Sequence, residues 1–251
     1  PTTLRFSLLS EYHTTAMRNT DFAFFGKNRS YRENPAIFDG TMRSIMVEAN
    51  WNHSPFRRLS NFGVRMTGEY SDKNFLFSDY SFSQATLDIW LRTPTLPAWR
   101  LDLRIMAGAS QGEVPPQRFF SFETALASTA AQGVFRSMAV KEFYGDNMIA
   151  IRADHSFGEV IPGILRIPNL ASFGVEFIAS GALGWSGFSE KTQLYTGTIL
   201  PTTERSPGER FYGEAGIGFN RLLLLFRVDV SARFTQRSTP QVVFTLSAAT
   251  F

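Results

Sequence analysis

The chain has 251 residues, of which 43% are hydrophobic and 19% are charged, with 25 phenylalanines and no cysteine. Soluble domains carry about 25% charged residues, and a mean hydropathy of −0.10 without a run of about 18 apolar residues excludes a helical membrane protein. The lack of cysteine excludes a disulfide scaffold and a cysteine-based metal site, and the net charge of +3 is too small and scattered to imply nucleic acid.

Alternation of apolar and polar residues along the chain predicts about ten β-strands. In chain order, the alternating segments are 4–12, 44–52, 62–70, 85–91, 99–108, 149–157, 171–186, 211–220, 226–235 and 242–248. Many of them approach the length of about 9–11 residues that a tilted membrane strand needs. The predicted fold class is therefore all-β, an antiparallel transmembrane β-barrel that takes up residues 1–251.

Each predicted strand has one apolar face and one face that carries charges, glycine and serine. In the segment 226–235, for example, Val228 and Val230 alternate with Arg227 and Asp229. Aromatic residues stand at the ends of the apolar faces, where membrane barrels have interfacial girdles: Trp51, Tyr70, Trp99, Phe157, Trp185, Phe211 and Phe234. A soluble antiparallel sandwich or barrel alternates in the same way. The aromatic ends and the mid-strand charges favour lipid on one face and water on the other.

An ordered series of short motifs runs through the second half of the chain. It comprises Pro-Pro-Gln-Arg-Phe-Phe at 115–120, Phe-Arg-Ser-Met at 135–138, Gly-Asp at 145–146 and Phe-Arg-Val-Asp at 226–229. This order resembles the bacterial surface antigen superfamily, the barrels of BamA-type insertases and two-partner-secretion transporters. The stretches 142–146 and 212–223 look closest to a Bacteroidota branch, whose full-length members place a carboxypeptidase-regulatory-like domain before the barrel. The chain departs from the family at Ser137 and Met138, where a glycine and an aromatic residue are usual.

By this resemblance, the segment 112–144 is a loop that folds back into the lumen, ahead of the fifth strand from the C-terminus. An arginine in such a loop offers five donors to acidic groups on the barrel wall, and a narrow lumen raises the cost of leaving it unpaired. We expect Arg136 to pair with Asp154 or Glu176, with Glu214 and Asp229 as further candidates. In the alternative, Arg136 lies in a solvated external loop.

The resemblance also implies how much of a barrel the chain represents. The superfamily's barrels have sixteen strands, so we expect this chain to be the C-terminal portion, with strands and a periplasmic domain ahead of Pro1; the alternative is a complete smaller barrel. The last strand would meet the first at a weakly paired seam. Its apolar set is Val242, Phe244 and Leu246, and it ends on Phe251, the position where outer-membrane barrels often carry an aromatic residue.

Residues suited to catalysis or metal binding do not form a site pattern. His155 follows Asp154, but neighbours on a strand point to opposite faces, and His13 and His53 fall at or beyond strand ends. The sequence has neither a nucleophile elbow nor a dinucleotide fingerprint. We expect no enzymatic activity in this segment, no cofactor and no metal.

Three functions remain open from the sequence. The first is an outer-membrane barrel that assists insertion or translocation of polypeptides, with client strands pairing at the seam. The second is a passive pore or a structural or surface barrel subunit of a larger outer-membrane complex, with the loop as a plug. The third is an outer-membrane enzyme. The expected partners are outer-membrane lipid and lipopolysaccharide, client outer-membrane or secreted polypeptides and other subunits of a complex, without nucleic acid.

Overall fold

Ten long strands follow one another along the chain in the computed structural model, which describes residues 2–15, 36–56, 60–125, 129, 133–164, 173–197, 211–235 and 242–249. The long strands are β1 (Thr2–His13), β2 (Gly40–Phe56), β3 (Ser60–Ser71), β4 (Phe82–Pro94), β5 (Arg100–Gly112), β8 (Asn147–Ser156), β9 (Glu176–Gly187), β10 (Phe211–Leu222), β11 (Phe226–Arg233) and β12 (Val242–Ala248). Two short strands, β6 (Phe120–Ser121) and β7 (Tyr144–Gly145), lie in the long connection between β5 and β8.

The long strands form one antiparallel sheet in which each strand pairs with its neighbours in the chain. The order is β1-β2-β3-β4-β5-β8-β9-β10-β11-β12, and β6 pairs separately with β7. This confirms the predicted fold class, since the ten strands coincide with the ten alternating segments. One boundary was wrong: Phe173 and Gly174 form a turn, and β9 begins only at Glu176.

The two faces of the sheet are inverted relative to a soluble protein. On β11, Arg227 is 2% exposed and Asp229 is fully buried, whereas Phe244 on β12 and Ile217 on β10 are 65% and 52% exposed. A soluble sandwich would bury the apolar set, because burial of apolar area drives its folding. The exposed apolar face and the buried charges are the arrangement expected of strands between lipid and a polar interior.

The core lies between the inner face of the sheet and the long connection that crosses it. Phe122, Phe135, Met138 and Phe143 of the connection pack against buried side chains of four strands: Met106, Ala150, Ala182 and Tyr212. Glycines on the inner face allow this close approach. A Cβ at Gly108 would lie 2.9 Å from the Phe120 ring, and one at Gly184 would lie 2.9 Å from the ring of Phe122.

Among the described residues, helical structure is limited to short pieces in the connections. A 3₁₀ turn spans Pro116–Arg118, α1 spans Val160–Ile164 and α2 spans Glu190–Tyr195. Ser189 caps α2, since its side chain accepts a hydrogen bond from the backbone N–H of Thr192. In the described ranges, every helix is too short to cross a membrane.

Candidate functional site

The central arginine of the long connection is buried against the inner face of the sheet. Arg136 is 4% exposed. Its Nη2 lies 3.4 Å from Asp154 Oδ2 on β8, and its Nε lies 3.4 Å from Asp229 Oδ2 on β11. The structure thus brings together three of the residues singled out from the sequence. Two of them, Asp154 and Asp229, lie on strands that are not neighbours in the sheet.

Glu214 on β10 holds the backbone of the connection at the same point. Its carboxylate accepts hydrogen bonds from the backbone N–H of Arg136 at 2.8 Å and of Ser137 at 2.8 Å. It also accepts from the Ser137 hydroxyl at 2.7 Å and from the Tyr212 hydroxyl at 2.9 Å. Ser137 stands at the position where the surface antigen superfamily usually has glycine. Its hydroxyl gives Glu214 a contact that glycine cannot make.

Two further arginines complete the cluster, and sequence reasoning assigned them no role. Arg227 Nη2 lies 2.9 Å from Asp154 Oδ2 and 2.8 Å from Asp229 Oδ1. Arg152 Nη2 lies 3.1 Å from Asp154 Oδ1, and its Nη1 donates to the backbone carbonyl of Val134. Their position on the polar face was visible in the alternation, but the strand register that brings them to Arg136 was not.

Charge is balanced in this cluster. Three guanidiniums, of Arg136, Arg152 and Arg227, meet three carboxylates, those of Asp154, Asp229 and Glu214. Burial and, to a smaller extent, the neighbouring Arg152 lower the pKa of Arg136 to about 10, against the opposing effect of Asp154. A guanidinium nevertheless stays charged in proteins, so the cluster acts as a fixed ionic lock between the connection and the sheet. We call these six residues the inner-face lock.

Glu176 lies away from the inner-face lock, so the structure does not bring it to Arg136. Its carboxylate instead pairs with Arg221 at 3.0 Å and accepts a hydrogen bond from Asn220 at 2.9 Å. The reason is register: Glu176 is the first residue of β9, six positions from Ala182, the residue that faces Glu214. Six residues of a strand span about 20 Å.

A second anchor fixes the start of the connection to the other end of the sheet. Arg118 Nη2 lies 2.9 Å from Glu11 Oε2 on β1 and 3.2 Å from Glu69 Oε1 on β3. Glu69 is buried and also accepts hydrogen bonds from Ser44 at 2.6 Å and Gln84 at 2.6 Å. Sequence reasoning placed Arg118 in a motif but gave it no role. The connection is therefore held at both ends, by Arg118 and by Arg136.

The last strand pairs on one side with β11 over its whole length. The side chains of Val242, Phe244 and Leu246 are 56%, 65% and 45% exposed, on the apolar face. On the other side, the described residues include one parallel bridge, between Leu246 and Thr129 of the long connection. The terminal Phe251 lies outside the described residues.

The histidines are placed as strand or strand-end residues. His155 Nε2 lies 2.9 Å from Thr95 Oγ1, and its ring packs edge-on against Trp99. Asp154, its neighbour in sequence, belongs to the buried inner-face lock on the opposite face. Within the described part of the chain, no three His, Asp or Glu side chains are grouped as metal ligands.

Aromatic side chains form two bands across the exposed face. In the lower band, at the start of β9, Phe177 is opposite Phe219 of β10, and the centroids of their rings are 5.7 Å apart. In the upper band, at the other end of the two strands, Trp185 is opposite Phe211. The bands are separated by eight residues on each strand. At about 3.3 Å per residue this is about 26 Å along the strand, or about 20 Å across a membrane for a strand tilted by about 40°.

Comparison with known proteins shows a distant structural likeness to an outer-membrane porin. No protein-family model matches the sequence, and no curated protein matches it. A crystal structure of the outer-membrane porin OprD from Pseudomonas aeruginosa is similar with a TM-score of 0.36 and 13% sequence identity. The similarity covers 82% of this chain and 54% of that one, so the chain spans about half the length of OprD.

Proposed function

We propose that the chain is part of an outer-membrane β-barrel whose lumen is crossed by the long connection. The observation that carries this proposal is the inverted burial of the sheet. Exposed apolar side chains lie between two aromatic bands about 20 Å apart, somewhat less than the apolar belt of about 25 Å in membrane barrels, and the charged side chains face inward. In water, such a face would expose far more contiguous apolar area than a monomeric protein normally shows.

Spin labels on single cysteines test this placement cleanly, because the chain has no native cysteine. Ile217, on the exposed apolar face, and Ser180, on the inner face, are suitable sites on neighbouring strands. In outer-membrane vesicles, we expect a label at Ile217→Cys to be relaxed by oxygen and one at Ser180→Cys by a water-soluble nickel complex. Relaxation of both labels by the nickel complex alone would contradict the membrane placement.

The finer role that we propose is assistance in inserting or translocating polypeptides at the outer membrane. Three features support it: the motifs shared with the surface antigen superfamily, the Arg136 connection on the inner face, and β12 at the end of the sheet. A strand at the end of a sheet presents backbone donors and acceptors that an incoming strand can pair with. The gain comes from hydrogen bonding and from lipid burial of the client, so the role needs neither a nucleotide nor an enzymatic step.

Disulfide crosslinking to a client tests the insertion role. A stalled outer-membrane barrel precursor with cysteines along its last strand should crosslink to Val242→Cys on β12. The matched control is Ile217→Cys, which lies on the same exposed face of the inner strand β10. Equal crosslinking at both positions would count against pairing at β12.

The partners that follow from this role are outer-membrane lipid and lipopolysaccharide on the apolar face, client polypeptides at β12, and other subunits of an outer-membrane complex. One observation favours a second candidate, a passive or gated pore. The connection packs an apolar cluster onto the polar face, which is the position of a plug.

A further inference from the structure

Trp90 interrupts the polar face of β4 and lines a cavity there. The apolar set of β4 is Ala85, Leu87, Ile89 and Leu91. Trp90 has the opposite parity and shares the inner face with Asp88 and Arg92. An indole on this face gains nothing from lipid, so its placement calls for a different explanation.

Gly63 on β3 shapes the position of this indole. Gly63 and Trp90 are paired across the two strands, and a Cβ at Gly63 would overlap the six-membered ring of Trp90. The ring therefore covers the glycine backbone with one part and borders the cavity with the rest. The cavity has a volume of about 500 Å³, within the range of about 300–1,000 Å³ typical of small-molecule sites.

The cavity has one more cation than anion in its lining. Four arginines (Arg65, Arg92, Arg104 and Arg152) and three aspartates (Asp88, Asp102 and Asp154) line it. The excess charge falls on Arg65. Its cross-strand neighbour is Asp88, but both Asp88 oxygens accept hydrogen bonds from Arg104, at 2.9 Å and 2.8 Å.

Arg65 is consequently exposed, and within the described residues it has no carboxylate within ion-pair distance. Its guanidinium lies 5.8 Å from the Trp90 ring centre, a cation–π contact. Asn61, four residues earlier on the same face, has a buried side-chain oxygen that finds no hydrogen-bond partner among the described residues. A buried acceptor left unpaired is costly, and a ligand hydroxyl would satisfy it.

We propose that this cavity binds an acidic sugar, with its carboxylate on Arg65, a hydroxyl on the Asn61 oxygen and its ring on Trp90. Each part of the ligand follows from one feature of the wall. Arginine presents a planar donor fork that matches a carboxylate, the Asn61 oxygen requires a donor, and the indole offers a flat apolar surface to a ring. The site goes beyond the membrane role proposed above and needs only the inner face of β3–β5.

Ligand-observed NMR on the full-length protein, purified from outer membranes in detergent, tests the site. The probes are glucuronate, glucose (which lacks the carboxylate) and benzoate (which lacks the hydroxyls). We expect glucuronate to bind at least tenfold more tightly than either comparison compound. Equal binding of glucose, tighter binding of benzoate, or no binding of glucuronate would each overturn the proposal.

Variants localise the binding to this cavity. Arg65→Met and Trp90→Leu should each weaken glucuronate binding at least tenfold, and Gly63→Ala should weaken it by displacing the indole. The matched control is Arg5→Met, which removes an exposed arginine from β1 outside the cavity and should leave binding unchanged. Unchanged binding in Arg65→Met overturns the site. If glucuronate does not bind but the protein is still found in the outer membrane, the ligand site is overturned and the proposed membrane placement is not.

Discussion

Arg136 is a buried charge, and a buried charge is tolerated only when it has oppositely charged partners. It is buried, it has two aspartates at 3.4 Å, and its own backbone N–H binds Glu214. The sequence predicted Arg136, Asp154, Glu214 and Asp229 as members of one site because each stands at a motif or on a polar face. The other members of the site follow from the register between strands, which places Glu176 away from Arg136 and brings Arg152 and Arg227 close to it. The sequence could not predict this, because alternation within a single strand carries no information on the register between strands.

Replacing Arg136 should release the connection from the sheet. In Arg136→Met, the buried Asp229 and Asp154 lose a counter-charge, and breaking a buried pair on one side costs about 3–5 kcal/mol. We expect a lower free energy of unfolding by that amount and faster protease cleavage within residues 113–143. The control is Lys73→Met, whose pair with Glu113 reaches the same connection but is exposed on both sides, and which should cost at most about 1 kcal/mol. Equal effects would show that Arg136 is no lock.

At the scale of elements, the strands were predictable and the path of the connection was not. Apolar and polar residues that alternate with a period of two identify a strand and its two faces without knowledge of its neighbours. All ten long strands could therefore be predicted from the sequence. The segment 112–144 has no period. Its path depends on where Phe120, Phe122 and Phe135 find space. That space is set by Gly108, Gly184 and the side chains of four different strands. Only the resemblance to a family suggested that it turns inward.

Removal of the connection distinguishes a plug from a brace. Ala109 on β5 pairs with Asn147 on β8, so a short Gly-Ser turn can replace residues 113–143 without changing the sheet register. If the connection plugs the lumen, single-channel conductance in planar bilayers should rise several-fold in this variant. The control is a Gly-Ser replacement of residues 73–77, an exposed turn at the end of β3, which should leave conductance at its original level. Unchanged conductance after removal of the connection would argue against the plug.

The whole molecule is organised by depth as well as by face. The two aromatic bands set the upper and lower limits of an apolar belt, and Ala215 on β10 is midway between Phe211 and Phe219. On β11, Val228 pairs with Phe219 of the lower band, and Phe226 lies two positions beyond it. Ala248 pairs with Phe226 and therefore lies outside the lower band. Both alanines are exposed on the apolar face, but Ala215 lies at the centre of the belt and Ala248 beyond its lower limit.

This difference in depth makes two otherwise similar substitutions unequal. An arginine at the midplane of a membrane barrel costs about 2–4 kcal/mol, and one near the interface costs about 0–1 kcal/mol. We expect Ala215→Arg to lower the free energy of unfolding in lipid vesicles by the larger amount and Ala248→Arg by the smaller, measured by urea titration. Long side chains on the face of a soluble sheet would be solvated at both positions. Equal and small costs at the two sites would therefore place the exposed face in water rather than in lipid.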